Sequence, residues 1–209
     1  MLNMRAPGLF IALMIVVGCA TPPGPEESGP DAGDVPDTDA APVTVTVTPT
    51  EAARPAIAAG GASHLVVWDT PRNGTTDIYG TRMNASGQVL DPDGLPIAVA
   101  AGTQIGPRVA FNGQLYLVVW KDNRLGRAAI FGARVQSDGV VLDPGGIVID
   151  DSGGSTQFPD VASDGAGFLV VWEGRCSAAD CEHGVSGAVV SATGVVSARR
   201  RIAAPAALS

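Results

Sequence analysis

Two cysteines and a histidine are the residues of this chain best suited to metal or redox chemistry. Four residues separate Cys176 from Cys181, and His183 follows closely. A tetrahedral zinc site needs a fourth ligand, and the sequence has no second Cys/His pair at zinc-like spacing. In an oxidising compartment a disulfide between Cys176 and Cys181 is the simpler interpretation, with two free thiols as the alternative. We therefore predict no metal and no cofactor.

Hydrolytic chemistry finds little support among the side chains. No serine lies in a Gly-x-Ser-x-Gly motif, and His64 has no plausible nucleophile beside it, so a Ser–His–Asp triad is not predicted. Glycoside hydrolysis would need two carboxylates that converge on one site. The available acids are Asp69, Asp77, Glu173 and Asp180, and they do not recur at equivalent positions. We predict no catalytic residue.

A period of 52 residues organises most of the chain. The segment Leu-Val-Val-Trp recurs and ends at Trp68, Trp120 and Trp172. Self-similarity at such a period indicates stacked supersecondary units. His64 takes a place that aromatic residues fill in the other two units, which indicates a packing role. The predicted units span about 55–106, 107–158 and 159–204.

Each unit is predicted to contain four strands. The unbroken apolar run before each tryptophan is typical of a strand that is buried on both faces. Prolines and glycines mark the turns, and no helical period appears after residue 43. Alternating β-branched residues at Val43–Val47 predict a further strand, in register with the end of a preceding unit. The sequence thus predicts an all-β domain of propeller-blade type over residues 43–204.

Glycine interrupts the third strand of every unit. The positions are Gly80, Gly132 and Gly187. A glycine within a strand often marks the close approach of another group. We predict that a tryptophan ring from the neighbouring strand occupies the space.

Arginine recurs in the same strand, at Arg82 and Arg134, but the third unit has Val189 there. Recurrence favours a structural role, either in a salt bridge or in stacking on the nearby tryptophan. The alternative is a ring of arginines that faces a central channel and binds an anion. Asp91 and Asp143 precede proline and are predicted to form turns rather than a calcium loop.

The N-terminus is predicted to be a targeting segment. Arg5 precedes a short apolar run over residues 9–17, which is typical of a secretory signal and too short to span a bilayer comfortably. The sequence Val16-Val17-Gly18-Cys19 resembles the lipobox of bacterial lipoproteins. The resemblance implies that 1–18 is removed and that Cys19 is lipidated, for instance with palmitate. The alternative is an ordinary cleaved signal.

Residues 19–42 are predicted to form a disordered, acidic, proline-rich tether. The segment contains six acidic residues, no basic ones and one large apolar residue, Val35, so it cannot bury enough surface to fold. The chain has a net charge of −8 and a pI of about 4.6, which argues against nucleic acid as a partner. We expect an exported protein, anchored through Cys19 in the cell envelope at the outer membrane or periplasmic face.

The repeats also resemble the Leu-Val-Val-Trp and Leu-Asp-Pro units of secreted bacterial propeller proteins, many of them predicted lipoproteins. The resemblance covers residues 43–204 and leaves 205–209 as a tail. The resemblance is specific for the type of repeat and not for a function. By analogy with propeller folds in general, we expect a non-enzymatic binding or scaffolding module, with an unknown protein or glycan as ligand. The alternatives are a carbohydrate-active enzyme domain and a truncated remnant without activity of its own.

The number of units poses a question about closure. Closed propellers typically have four to eight blades, and this chain has three units. Three explanations compete: a truncated chain, a dimer that closes a six-bladed ring, and an open arc with an exposed apolar face.

Overall fold

The computed structural model describes residues 51–72, 74–152, 155–175 and 184–203. The chain divides into two units, Met1–Thr46 and Val47–Ser209, and the described residues all belong to the second. Within the described ranges no helix is long and apolar enough to cross a membrane. Several predictions concern residues outside these ranges: the signal segment, Cys19, the tether, the strand at Val43–Val47, Cys176, Cys181, His183 and the tail at 205–209.

The described residues form three four-stranded antiparallel sheets, and each sheet keeps its strands in chain order. We call each sheet a blade. The first blade contains β1 Ala53–Gly60, β2 Ser63–Arg72, β3 Thr75–Asn84 and β4 Leu95–Ala98. The second contains β5 Gln104–Phe111, β6 Leu115–Asp122, β7 Ala129–Gln136 and β8 Ile147–Asp150. The third contains β9 Ser155–Ser163, β10 Gly167–Arg175, β11 Gly184–Ser191 and β12 Arg200–Ala203. The predicted all-β fold of four-stranded, propeller-type units is confirmed.

The blades pack face to face, with β1, β5 and β9 as neighbours on the inner side. Successive residues of a strand point to opposite faces, so the Leu-Val-Val-Trp run serves two interfaces. In the second blade, Val118 and Trp120 are fully buried against the first blade. Leu117 and Val119 are fully buried against the third blade. Burial on both sides explains why this run carries no polar residue.

The third-strand glycines make room for an isoleucine, not for a tryptophan. Val67 pairs with Gly80 and Trp68 pairs with Tyr79, so the indole lies on the opposite face of the sheet from the glycine. A Cβ on the glycine would come within 2.8–3.0 Å of an isoleucine Cδ1 of the fourth strand. The prediction of a tryptophan occupant is therefore wrong. The three pairs are Gly80 with Ile97, Gly132 with Ile149, and Gly187 with Ile202.

The fourth strand of the first blade is short. Val89 forms only an isolated bridge to Met83, and the regular strand begins at Leu95. Between them the chain turns, with the Gly94 amide donating to the Asp91 carbonyl at 3.0 Å. Gly94 has φ of 77°, which favours glycine there. The proline that follows Asp91 has no amide hydrogen to donate to a neighbouring strand, so the ladder breaks at this point.

Arg82 and Arg134 are each paired with an aspartate of their own blade. The Arg82 side chain donates to both Asp91 carboxylate oxygens at 2.7 and 2.9 Å, and its backbone amide donates at 2.8 Å. Arg134 and Asp143 repeat the arrangement. These hydrogen bonds lower the pKa of each aspartate and raise the pKa of each arginine.

The place of this pair in the fold bears on the anion-ring alternative. The two arginines belong to β3 and β7, which lie two strands away from the inner strands. Arg134 also donates to the Ala192 carbonyl of the third blade at 3.0 Å. In the third blade the Val189 amide donates to the Ser197 hydroxyl at 2.9 Å instead. Arg82 therefore pairs within its own blade, and Arg134 pairs both within its own blade and with the third blade.

Candidate functional site

Each blade has two chemically different ends. Because the strands are antiparallel, the first and third strands begin at the end where the second and fourth strands finish. We call this the bulged end, for the irregularity described next. The opposite end, the turn end, carries the tight turns at Gly61, Gly113 and Gly165, all with positive φ.

A bulge interrupts the first strand of every blade. The register between first and second strands shifts there in all three blades. Arg54, Gly106 and Phe158 lie at this point, 52 residues apart, with φ of 51°, 66° and 45°. Such a conformation is strained for Arg and Phe, and no other non-glycine residue of the described ranges adopts it. Strain of this kind concentrates at functional sites.

Buried polar side chains also concentrate at the bulged end. Of ten buried polar or charged residues in the described ranges, eight lie within three residues of a strand terminus at this end. Burying a polar group costs free energy unless a hydrogen bond compensates for it. A concentration at one end indicates that this end does more than close the fold. The eight are Asp69, Thr70, Asp77, Gln104, Asp122, Asp150, Thr156 and Ser186.

Asp69 joins the first two blades at this end. Its side chain is almost fully buried, and one carboxylate oxygen accepts from the Gly106 amide and from Arg54 Nε, both at 2.7 Å. The equivalent positions hold Lys121 and Glu173, which are both half-buried. The same place in the fold therefore carries an acid, a base and an acid in successive blades.

Asp122 anchors the bulged end of the second blade. Its fully buried carboxylate accepts from Trp120 Nε1 at 2.8 Å and from Arg124 Nη2 at 2.6 Å. The Arg124 guanidinium in turn lies 4.6 Å from the centre of the Phe131 ring. Arg72 is placed in the same way over Tyr79, at 4.0 Å. The arginines at this end thus lie over the Tyr79 and Phe131 rings.

Three buried polar atoms at the bulged end have no hydrogen-bond partner within the described residues. They are Gln104 Oε1, Thr156 Oγ1 and Asp150 Oδ2. Gln104 and Thr156 are equivalent, each two residues before the bulge. No group of three or more potential metal ligands occurs among the described residues.

A groove of about 270 Å³ opens between the bulges. Its exposed feature is the Phe158 ring, with 69% of the residue accessible to solvent. Two cationic side chains, Arg54 and Lys121, share the groove with apolar flanks. This composition suits a ligand that has an apolar face and polar or anionic groups at its edge. The lining residues are Arg54, Ile105, Gly106, Lys121, Phe158 and Pro159.

Sequence reasoning located the repeat but missed this groove. The repeated prolines, Pro55, Pro107 and Pro159, marked the register, yet each also follows a residue of the left-handed bulge. The signal available in the sequence was a proline that recurs in every unit but follows a different type of residue each time. His64 lies in β2 and is half-buried, where its counterparts Tyr116 and Phe168 are buried.

Comparison with known proteins finds likeness in structure alone. No protein-family model matches the chain, and no curated protein matches its sequence. An α-L-arabinofuranosidase from Lactobacillus brevis is 13% identical, covering 70% of this chain and 55% of the other, with a TM-score of 0.45. For a putative glycoside hydrolase from Bacteroides ovatus these values are 13%, 70%, 48% and 0.43. For a GH43 endo-arabinanase from Bacillus licheniformis they are 12%, 70%, 77% and 0.32.

These matches correct one expectation. The sequence favoured a non-enzymatic binding or scaffolding module, whereas the matched structures are glycoside hydrolases, together with a subtype N10 neuraminidase-like protein. The expectation of a non-enzymatic module is therefore corrected. The chain spans about half the length of the first structures it matches. At such identities and TM-scores no substrate or catalytic residue transfers to this chain.

Proposed function

We propose that this chain is part of a carbohydrate-active enzyme, with the bulged end as its sugar-facing side. The observation that carries the proposal is the exposed Phe158 ring, held in a strained backbone conformation at the rim of the groove. Exposure and strain both cost stability, and neither serves the packing of the blades. A ring in this position serves contact with a ligand.

The chemistry of the groove fits a sugar. The face of a pyranose or furanose ring carries C–H groups that stack on an aromatic ring, while its edge carries hydroxyl groups. Arg54 and Lys121 supply N–H donors to such hydroxyls or to a carboxylate on the sugar. Apolar stacking with a few placed donors is typical of small-molecule sites.

Hydrolysis also needs carboxylates. Enzymes of this class use a pair, about 5–10 Å apart, one of which transfers a proton. We assign proton transfer to Glu173, which is half-buried and pairs across the sheet with Gln157, the residue before Phe158. Asp69, its counterpart in the first blade, is held by Arg54 and by the Gly106 amide, and we give it a structural role.

Substrate assays with matched variants test the proposal. The probes are linear arabinan, p-nitrophenyl α-L-arabinofuranoside and sialyllactose. We expect hydrolysis of at least one probe, a loss of 100-fold or more in kcat with Glu173→Gln, and an unchanged melting temperature. Asp93→Asn, which alters an exposed acid outside the groove, is the control and should keep full activity. Failure of the wild-type chain to act on any probe would contradict the enzymatic proposal.

The exported, membrane-anchored state is a separate part of the proposal. Its support is the lipobox-like sequence that ends at Cys19, and an oxidising compartment would also suit a Cys176–Cys181 disulfide. Metabolic labelling with an alkyne-bearing palmitate should mark the wild-type chain and not Cys19→Ser. Labelling that survives this substitution would contradict the assignment of Cys19.

A further inference from the structure

The outer side of the third blade exposes apolar residues whose counterparts are buried. Leu169 is 47% exposed, whereas Leu65 and Leu117 are fully buried. Val185 and Ile202 are likewise exposed, by 38% and 56%. We call this surface, made of Leu169, Val185 and Ile202, the trailing face. Exposure of this apolar surface to water costs free energy, which burial under another blade would recover.

The outer side of the first blade shows the complementary surface. His64, Val66 and Trp68 are half-buried there. We call this surface the leading face. Its counterparts in the second and third blades are buried in the two blade interfaces: Tyr116, Val118 and Trp120, and Phe168, Val170 and Trp172.

The two internal interfaces indicate which kind of surface each of these two faces would pack against. In both, leucine, valine and isoleucine of one blade pack on the aromatic residue, valine and tryptophan of the next. The trailing face corresponds to the leucine, valine and isoleucine surface of these interfaces. The leading face corresponds to the surface made of the aromatic residue, valine and tryptophan, with His64 in the aromatic place. The molecule thus carries both halves of a third interface, on opposite sides.

We propose that the trailing face of one copy of this chain packs on the leading face of a second copy. Such a contact is head-to-tail, because different patches of the two copies meet. Two copies joined at both faces contain six blades, within the four to eight that close a propeller. The proposal does not depend on the enzymatic one.

Charge at the bulged end fits the same pairing. Inside the molecule Asp69 accepts from the Gly106 amide of the next blade. Glu173 is the counterpart of Asp69, and Arg54 is the counterpart of Gly106. Head-to-tail packing therefore brings the Glu173 carboxylate of one copy towards the Arg54 backbone amide of the other, as Asp69 meets the Gly106 amide inside the molecule.

Nearer the turn end, the part of the third blade that would form the proposed contact is apolar. Arg134 reaches from the second blade to the Ala192 carbonyl of the third. Its counterpart Val189 is 51% exposed and has no charge to desolvate. Burial of Val189 in the contact adds apolar area where the internal interface uses a hydrogen bond.

Mass measurement of the full chain, in mild detergent, by light scattering after size-exclusion chromatography tests the proposal. We expect a dimer for the wild type and a monomer for each of two single variants, Leu169→Asp on the trailing face and Val66→Asp on the leading face. Mixing the two variants should restore a dimer, because one wild-type trailing face then meets one wild-type leading face. Leu125→Asp, in an exposed loop, is the control and should remain dimeric.

Three results would overturn the proposal. One is a wild-type chain that remains monomeric at every concentration reached, because the two faces then do not bind a second copy. Another is a dimer that survives Val66→Asp while Leu169→Asp abolishes it, since this indicates symmetric packing of two trailing faces. The third is failure of the mixed variants to associate. Circular dichroism establishes that each variant is folded, and Ile202→Asp and His64→Asp replace a variant that is not.

Discussion

The turn end and the bulged end of the blades differ in how their side chains are used. At the turn end, short side chains bond the backbone of their own turn. The Asn112 carboxamide oxygen accepts from the Gln114 and Leu115 amides, and the Asp164 carboxylate accepts from the Ala166 and Gly167 amides. Contacts of this kind are local, and they occur in the second and third blades, whereas Gly60 takes the equivalent place in the first.

At the bulged end the backbone recurs while the side chains change. Arg54, Gly106 and Phe158 share one strained conformation, although their chemistry has nothing in common. A fold that only needed the bulge would be served best by glycine in all three blades. We infer from the comparison that the local side-chain-to-backbone contacts at the turn end maintain the fold, and that the varied residues at the bulged end serve a ligand.

The largest effect is expected at Asp122, a buried structural member of the bulged end. Replacement by Ala leaves the Trp120 Nε1 donor and the Arg124 guanidinium without their acceptor, so unfolding should become easier by about 3–5 kcal/mol. Urea denaturation measures the loss. Asp122→Asn, which keeps one acceptor oxygen, should cost less than Ala, and equal losses would contradict the hydrogen-bond account.

A somewhat smaller loss is expected at Gly60, at the turn end. A Cβ there would overlap the ring of Tyr116, whose hydroxyl donates to the Gly60 and Ser63 carbonyls at 3.3 Å. Gly60→Ala should therefore destabilise by about 1–3 kcal/mol, as overpacking does. Adding Tyr116→Phe removes one of the clashing atoms and should recover part of the loss. No recovery in a melting experiment would exclude overpacking as the cause.

Acid should weaken the turn end through the two Arg–Asp pairs that connect strands there. Hydrogen bonds from Arg82 and Arg134 lower the pKa of Asp91 and of Asp143. A carboxylate with a lowered folded pKa stabilises the fold above its unfolded pKa, about 3.9, and this stabilisation disappears as pH falls through the folded value. Asp91→Asn should therefore lower stability at pH 7 and flatten its decline below about pH 4. An unchanged pH profile would contradict this role.

Much of the fold follows from the sequence, because its period and its apolar runs are dictated by packing. Trp120 recurs with Trp172 since the two fill equivalent places in successive interfaces, and such repetition is visible without coordinates. The occupant beside Gly132 was mispredicted because strand alternation, which puts Trp120 on the other face, was not applied to it. The groove was not predicted in this way, since Phe158 differs from its counterparts and the recurring prolines that follow the bulge were interpreted only as markers of the repeat.

The most direct test of the central claim separates stability from ligand contact at one residue. Phe158→Gly removes the exposed ring and relieves the strain of a positive φ, so the melting temperature should stay the same or rise. Binding and hydrolysis of linear arabinan, p-nitrophenyl α-L-arabinofuranoside and sialyllactose are measured in parallel for Val195→Ala, an equally exposed apolar residue at the turn end. We predict a loss of at least tenfold with Phe158→Gly and no change with Val195→Ala. Full activity after Phe158→Gly, or a parallel loss with Val195→Ala, would contradict the assignment of function to the bulged end.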